Sequence, residues 1–477
     1  MATYEMVIGL EVHVELATKT KIFCGCTTRF GGAPNTHTCP VCTGMPGTLP
    51  AVNRRVVEFA VAAGLATNCE ITRYNKFDRK NYFYPDLPKA YQVSQLYLPI
   101  CRNGHVDIET SAGRKAVGIH EIHMEEDAGK LMHDPWLDQT MVDYNRCGVP
   151  LLEIVSEPDM RSAEEVIAYL TTLRRTLQYL GVSDCKMQEG SLRADVNLSV
   201  RPAGSRTLGT RTEMKNLNSF KAIARAIEGE FRRQVELIED GGKVLQQTRR
   251  WDDNKGASFA MRSKENAQDY RYFPEPDLPP IALEEAFIDA VRARQPEMAQ
   301  EKAARYQRDF GLSAYDASIL TAEKPIADLF ERAAEVCGRP KDAASWVMGE
   351  TMAMMKEKQV TSDALTLSPD ALGQIAAMVA EGKLSRQSAR EVFAYAFDGG
   401  EDVCGYVKAH GLEIVADDSA YARAVDEVLA RCAKDADAYR AGNQKVFGFL
   451  VGQTMKALGG KADAKKIGEL LRERLGK

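Results

Sequence analysis

Carboxylate and imidazole side chains crowd residues 117–130, which read V-G-I-H-E-I-H-M-E-E-D-A-G-K. Alternate side chains of a β-strand point to opposite faces, so one face would carry Ile119, Glu121, His123 and Glu125. Five potential oxygen or nitrogen ligands fall within seven residues here. A solvated edge strand can hold such charges, because they block pairing with other chains, but their number favours a binding site.

A second stretch, residues 6–16, repeats the pattern as M-V-I-G-L-E-V-H-V-E-L. Glu11, His13 and Glu15 would share one face of a strand, while the valines between them point into a core. Either strand alone is explained by a polar sheet face. If the two are neighbours, however, they form a cation site, and its carboxylates favour Mg²⁺ or Mn²⁺, the ions that accompany nucleotide phosphates.

Two further strands carry polar groups that need an explanation. Residues 150–159, P-L-L-E-I-V-S-E-P-D, predict a buried strand that Glu153 interrupts. A carboxylate inside an apolar run is costly unless it is paired or binds a metal, so Glu153 is a third candidate. Residues 187–200 predict a strand whose polar face carries Arg193, Asp195, Asn197 and Ser199.

Cationic side chains occur in two segments suited to anions. Residues 76–95 mix Arg79, Lys80 and other donors with tyrosines and prolines. This composition fits a rigid loop that grips phosphate, a nucleobase or RNA, and equally a packed turn with solvated charges. Lys215 ends a predicted strand just before a helix, whose first N–H groups favour phosphate, although many helices without a ligand begin in the same way.

Two close pairs of cysteines flank a loop rich in glycine, proline, asparagine and threonine. They are Cys24 with Cys26, and Cys39 with Cys42. Four thiolates at such spacing are typical of a structural Zn²⁺ knuckle, which would fix the loop rather than perform chemistry. The alternative is four reduced thiols without a metal.

Bulk properties limit the possible classes of protein. A chain of 477 residues predicts two or three domains. No stretch approaches the roughly 20 apolar residues of a membrane span, and the N-terminus lacks the features of an export signal. Eleven cysteines without such a signal indicate cytoplasmic thiols or metal ligands. The net charge of −5 argues only weakly against nucleic acid as a partner, because an acidic total can conceal local basic patches.

The chain changes character after the proline-rich residues 274–280, and from about residue 291 it is helical with few strand signals. From Arg440 onward nine Lys and Arg stand against three Asp and Glu. A small basic helical end suits the phosphate backbone of RNA, although a solubilising tail has the same composition. No phosphate-binding glycine loop, dinucleotide fingerprint or serine nucleophile elbow occurs. Any nucleotide would therefore be held by a sheet, a metal and scattered cations.

Together, several motifs resemble the B subunits of bacterial tRNA-dependent aspartyl/glutamyl amidotransferases, the GatB/GatE family. They are I-G-L-E-V-H-V-E-L, K-F-D-R-K-N-Y-F-Y-P-D-L-P-K-A-Y-Q, I-H-M-E-E-D-A-G-K, L-L-E-I-V-S-E-P-D, E-G-S-L-R-A-D-V-N, K-N-L-N-S-F, Y-R-Y-F-P-E-P-D and G-F-L-V-G-Q-T-M-K. The match runs from the first strand to the basic end.

The resemblance implies an α+β fold in which an antiparallel sheet similar to glutamine synthetase forms a catalytic cradle. This cradle domain would span residues 1–292, with the zinc knuckle at 24–42. An all-α helical domain would follow at 293–405, and a small helical tail domain that grips tRNA at 406–477.

The resemblance also implies a ligase that uses ATP and Mg²⁺, together with a structural Zn²⁺. Glutamate or aspartate, mischarged on tRNA(Gln) or tRNA(Asn), would be phosphorylated on its side chain, and ammonia would then displace the phosphate. The ammonia would come from a separate glutaminase, the A subunit of the family's complexes. A small C subunit would complete a cytoplasmic heterotrimer.

In this scheme the Mg²⁺ ligands are expected to be Glu11, His13, Glu153 and one acid of the pair Glu125 and Glu126. Strand alternation favours Glu125, but a single β-bulge reverses that assignment. Phosphate or the substrate carboxylate would be held by Arg79, Lys80, Arg193 and Lys215. Nucleotide would contact Arg79, Lys215, Asn216 and Asn218.

Two other functions compete with this ligase. A tRNA-binding scaffold without catalysis explains the cysteines and the basic end, but not the acids on three strands. A carboxylate–amine ligase for a free small molecule explains the acids, but not the basic end.

Overall fold

A computed structural model describes residues 3–134, 136–261, 270–414, 418–458, 462 and 464–476. Its contacts divide the chain into two compact units, Met1–Glu297 and Met298–Lys477. The domain boundaries predicted after residues 292 and 405 stay predictions.

The first unit combines strands with four helices in the described residues. Its strands are β1 (Tyr4–Glu15), β2 (Glu70–Ile71), β3 (Tyr74–Asn75), β4 (Asp78–Asn81), β5 (Tyr91–Ser94), β6 (Cys101–Thr110), β7 (Gly113–Glu126), β8 (Lys130–Asp134), β9 (Gln139–Asp143), β10 (Pro150–Ser156), β11 (Leu192–Pro202), β12 (Thr212–Lys215), β13 (Gln247–Asp252), β14 (Ala257–Ala260), β15 (Phe273–Pro274) and β16 (Ile281–Ala282). Its helices are α1 (Arg54–Ala66), α2 (Ala163–Tyr179), α3 (Phe220–Glu239) and α4 (Glu285–Arg292).

Nine strands of the described chain form one sheet in the order β14-β13-β12-β11-β1-β10-β7-β6-β2. Its pairs are antiparallel, apart from the parallel pair of β12 and β13. The mixed α/β architecture with a large sheet agrees with the predicted class. The likeness to a glutamine synthetase cradle stays a prediction.

One face of this sheet is the core of the unit. Val12, Ile154 and Val196 are fully buried there, on neighbouring strands. Helices α1, α2 and α3 cover this face, and α2 shows why they form: Ser162 caps its first turn by accepting a hydrogen bond from the N–H of Glu165, and Leu173 lies on its apolar stripe. The opposite face of the sheet is left to polar side chains.

A β-bulge alters the predicted pattern on β7. Glu121 pairs with Val155, but Ile119 pairs with Ser156, so His120 is an extra residue on this strand. Ile119 is therefore 1% exposed in the core, and the prediction that it shares a face with Glu121 was wrong. The bulge lies before the acidic segment, whose own alternation is kept.

The second unit is built of helices in its described residues. They are α5 (Ala299–Phe310), α6 (Ala314–Leu320), α7 (Lys324–Cys337), α8 (Pro340–Trp346), α9 (Met352–Lys358), α10 (Pro369–Ala380), α11 (Arg386–Phe397), α12 (Val403–Ala409), α13 (Asp418–Arg431), α14 (Ala433–Arg440), α15 (Phe447–Ala457) and α16 (Ala464–Leu475). One apolar cluster surrounds Phe330, Trp346 and Phe393, and another surrounds Val425, Leu450 and Leu471. Residues 459–461, 463 and 477 of the predicted basic end lie outside the described residues.

None of the described helices has the length and apolar character that crossing a membrane requires.

Candidate active site

Three side chains from neighbouring strands converge on the polar face of the sheet. They are His13 on β1, Glu153 on β10 and Glu125 on β7. The Nε2 atom of His13 lies 3.8 Å from Oε1 of Glu125 and 3.7 Å from Oε2 of Glu153. One imidazole and two carboxylates within 4.8 Å of one another are a donor set that fits Mg²⁺ or Mn²⁺.

His123 holds this group from one side. Its Nε2 lies 2.7 Å from Oε2 of Glu153, and its register partner across β7 and β10 is Glu153 itself. Burial would lower the pKa of His123, but the charges of Glu153 and Glu125 and the hydrogen bonds to Glu121 and Glu153 together outweigh burial and raise that pKa to about 10. Burial would likewise raise the pKa of Glu153, but the His123 imidazolium keeps it far below its ordinary value.

The structure separates Glu125 from Glu126. Glu125 faces the group, and burial, followed by the charge of Glu153, raises its pKa. Glu126 instead accepts hydrogen bonds from Lys89, 2.7 Å from its Oε2, and from the backbone N–H of Val93 at 2.9 Å. Glu126 therefore lies outside the group of ligands, in a buried ion pair.

A second acidic group lies beside the first. Glu11 on β1, Asp195 on β11 and Glu213 on β12 again bring carboxylate oxygens within 4.8 Å of one another. Asn197 donates a hydrogen bond to Glu11 at 3.0 Å, and Lys215 forms ion pairs with Asp195 and, at 2.8 Å, with Glu213. Burial and then the charge of Glu153 raise the pKa of Glu11. Glu11 therefore groups with these acids and not with His13.

The other predicted cations occupy different surroundings. Arg79 forms a two-pronged ion pair with Glu275, at 2.8 and 2.6 Å, and Arg193 donates to Asp127 at 2.9 Å. Both guanidinium groups are thus already neutralised by carboxylates. Lys80 lies over the Tyr270 ring at 4.9 Å, and its charge acts on the carboxylates of Glu125 and Glu153.

The two asparagines predicted to contact nucleotide, Asn216 and Asn218, are exposed just before α3. Asn216 donates to the backbone carbonyl of Trp251 at 3.3 Å. The cap of α3 is Ser219, which accepts a hydrogen bond from the N–H of Ala222. The contact of these asparagines with nucleotide stays a prediction.

The four predicted zinc ligands come together away from the sheet's acids. The sulfur atoms of Cys24, Cys26, Cys39 and Cys42 all lie within 4.8 Å of one another. A hydrogen bond from the Cys24 thiol is the main reason that the pKa of Cys42 falls to about 4, whereas burial raises that of Cys26 to about 11. Four sulfur donors in one compact group fit Zn²⁺.

Comparison with protein families decides the relationship that the motifs suggested. The model of the GatB/GatE catalytic domain matches residues 6–289, and that of the GatB domain matches residues 328–475. The chain belongs to the GatB/GatE family. This family assignment covers both units of the structure.

Full-length relatives agree with the GatB/GatE assignment. The chain is 61% identical to the B subunit of the aspartyl/glutamyl-tRNA(Asn/Gln) amidotransferase from Lachnoclostridium phytofermentans, over the whole of both chains. Proteins of the same name from Agathobacter rectalis and Lachnospira eligens are 60% and 59% identical, again over the whole of both chains.

Sequence reasoning missed part of this GatB/GatE site. Asp195 was predicted on a polar strand face but not as a partner of Glu11, and Glu213 was not predicted as a candidate ligand. Their alternation was visible in the sequence, but the grouping depends on the register, in which Glu11 pairs with Asp195 and Asn197 with Glu213. His123 was on the correct face and was still left out of the site.

Proposed function

We propose that this chain is the component of a tRNA-dependent amidotransferase that phosphorylates the side-chain carboxylate of mischarged Glu-tRNA(Gln), Asp-tRNA(Asn) or both, and then forms the amide. The observation that carries the proposal is the pair of acidic groups on one face of the sheet. Neighbouring strands present them side by side, in a chain whose relatives bear the name of such a component.

Two divalent ions fit the donor sets. His13, Glu125 and Glu153 would hold one, and Glu11, Asp195 and Glu213 the other. Bound there, Mg²⁺ supplies positive charge that offsets the repulsion between the substrate carboxylate and the phosphates of ATP.

The chain's own residues prepare this face for two anions. His123 keeps Glu153 ionised and fixes its orientation. Asn197 orients Glu11, and Lys215 offsets the charge of the second acidic group. Lys80 adds a positive charge near His13, Glu125 and Glu153. This charge would stabilise the negative charge on a phosphoryl oxygen of ATP or on the substrate carboxylate. The sheet with its helical backing then acts as a cradle of the glutamine synthetase kind.

Other parts of the chain would serve binding and assembly. The four cysteines would hold a structural Zn²⁺, and the basic helices of the tail would contact the tRNA backbone. Ammonia would come from the glutaminase of the complex, its A subunit, and a small C subunit would belong to the same cytoplasmic heterotrimer.

The test is an amidation assay of the assembled complex with Glu-tRNA(Gln) and with Asp-tRNA(Asn), in the presence of ATP, Mg²⁺ and glutamine. The native complex is expected to amidate at least one of the two. Glu11→Ala and His13→Ala should abolish phosphorylation while tRNA still binds, because each removes only a proposed metal ligand on the sheet and leaves the basic helices unchanged.

The matched control is Glu109→Gln, which neutralises a 76% exposed acid on β6 of the same sheet and should leave activity unchanged. Absence of amidation with both tRNAs would refute the proposal. Full activity of both ligand variants would refute the assignment of the site.

A further inference from the structure

Lys21 is a fully buried lysine, 0% exposed, beside the four cysteines. Its ammonium group donates hydrogen bonds to the backbone carbonyl oxygen of Tyr144 at 3.4 Å and to the sulfur of Cys42 at 3.6 Å. No carboxylate of the described residues lies within ion-pair distance of it. Lys89, which lines the same cavity, has by contrast Glu126 as its partner.

A buried ammonium group needs a nearby anion, because removal from water without compensation is costly. The anion that the structure offers is sulfur. Four thiolates around one Zn²⁺ carry a net negative charge, since their charges outnumber those of the ion. Cys42 is the buried member of the sulfur group and contacts the buried lysine, so the charge of each offsets the cost of burying the other.

We propose that Lys21 is the cationic partner of the four-cysteine site and that its charge retains the metal. It is a positioning residue, since it acts on the ion through Cys42. This role rests on the proposed Zn²⁺ site and is independent of the amidation reaction.

Lys21 also lies where the cysteine loop meets the main sheet. The N–H of Lys21 donates to the carbonyl of Cys26 at 2.9 Å, and the N–H of Ile22 to that of Gly148 at 3.0 Å. The Cys147 thiol donates to the carbonyl of Cys42 at 3.3 Å. The segment 144–149 leads directly into β10, which carries Glu153, so the metal and its lysine would secure the start of a strand of the active site.

The first test compares zinc retention in the full-length chain. Native protein and the variants Lys21→Met, Lys21→Arg and Lys19→Met are loaded with Zn²⁺, and its release to a chromogenic chelator is timed. Lys21→Met should release zinc at least about 10-fold faster, the size of effect expected when a metal site loses an outer partner. Lys21→Arg keeps the charge and should stay closer to native. Lys19 is exposed, so its variant should match native protein.

A second measurement uses native protein alone and does not depend on the folding of a variant. An amine-reactive reagent is applied with zinc bound and after its removal, and labelling is read by mass spectrometry. Lys21 should be protected only with zinc bound, while Lys19 reacts in both states.

Equal zinc release by native protein and Lys21→Met, or equal labelling of Lys21 in the two states, would overturn the role of Lys21. Native protein that binds no zinc would instead refute the zinc site itself.

Discussion

The polar face of the sheet holds several carboxylates close together, where little water is present to screen their mutual repulsion. Glu125 is buried, and the charge of Glu153 adds to burial in raising its pKa. Glu153 is half-buried, and the charge of His123 offsets the cost of ionising it. His123 is the offset that the structure provides. A bound cation would offset the repulsion between these acids that His123 leaves uncompensated, and this favours a cation site here.

The pair of His123 and Glu153 predicts a pH dependence for stability without metal. The pKa of His123 is raised from 6.5 to about 10, so its contribution is complete below about pH 6.5 and is lost as pH rises through 10. The pKa of Glu153 is lowered from 4.5, so its contribution is present above that pH and is lost as pH falls. The pair therefore stabilises most between these limits.

His123→Asn should accordingly lower the Tm most at about pH 6 and less at pH 10, measured by thermal unfolding with a chelator present. The same reduction at both pH values would contradict the ion pair.

Glu125 and Glu126 give a matched test of the ligand assignment. Glu125→Gln should weaken Mn²⁺ binding at least about 10-fold, because it removes a ligand that faces His13. Glu126→Gln should leave Mn²⁺ affinity within about 2-fold of native, since Glu126 faces Lys89. Titration calorimetry measures both, and a reversed order would show that the wrong carboxylate has been assigned.

At the residue scale, alternation along a strand favoured Glu125 but left Glu126 open, because a bulge would reverse the assignment; the structure turns Glu125 towards His13. Alternation was not enough for Glu11. The register between β1 and β11 determines the neighbours of Glu11. That register depends on the packing of the whole sheet and cannot be predicted from either strand alone.

At the scale of elements, the sequence carries clear local signals for α2 and weaker ones for the course of β7. Ser162, the leucine stripe and Gly181, which has a positive φ of 65°, mark the helix from start to end. The bulge at His120 has a weaker local signal, since Gly118 two residues earlier is the only residue of the segment that suggests one. The extra residue lets Ile119 stay in the core while Glu121, His123 and Glu125 point to the polar face.

The division of the sheet into an apolar and a polar face makes a prediction about α2. Leu173→Ala, at a position 1% exposed, should lower the free energy of unfolding by about 2–5 kcal/mol, because it leaves a cavity in the core. Mn²⁺ affinity should be unchanged, since the ligands lie on the other face. Thr171→Ala, on the exposed side of the same helix, is the control and should change stability by less than about 0.5 kcal/mol. Urea titration measures both free energies of unfolding, and equal losses in the two variants would contradict the placement of Leu173 in the core.

At the scale of the whole molecule, charge is distributed unevenly. The chain is acidic overall, yet its last helices are basic, and Lys445, Lys456 and the 48% exposed ring of Phe449 lie on the surface of the second unit. Composition predicted both the helical character of this unit and its basic end. It did not predict the two separate apolar clusters, because the order in which helices pack is not visible in their composition.

The double variant Lys445→Glu/Lys456→Glu should weaken tRNA binding and reduce the salt dependence of the affinity by about one unit of slope for each phosphate that the protein no longer neutralises. Filter binding at several salt concentrations measures this. Lys19→Glu/Lys243→Glu changes the net charge equally at exposed positions of the first unit. An equal effect of both double variants would mean that the tail binds no better than any other surface.

The central claim is that the acidic site on this sheet promotes phosphorylation, by ATP, of a carboxylate carried by tRNA. Release of inorganic phosphate from ATP tests this claim most directly. The assembled complex is assayed with mischarged Glu-tRNA(Gln) or Asp-tRNA(Asn), with correctly charged tRNA, and without tRNA. Phosphate should appear only with a mischarged tRNA and should disappear in Glu153→Gln. Equal release without tRNA would indicate a ligase for a free small molecule, and no release under any condition would leave a scaffold that binds RNA.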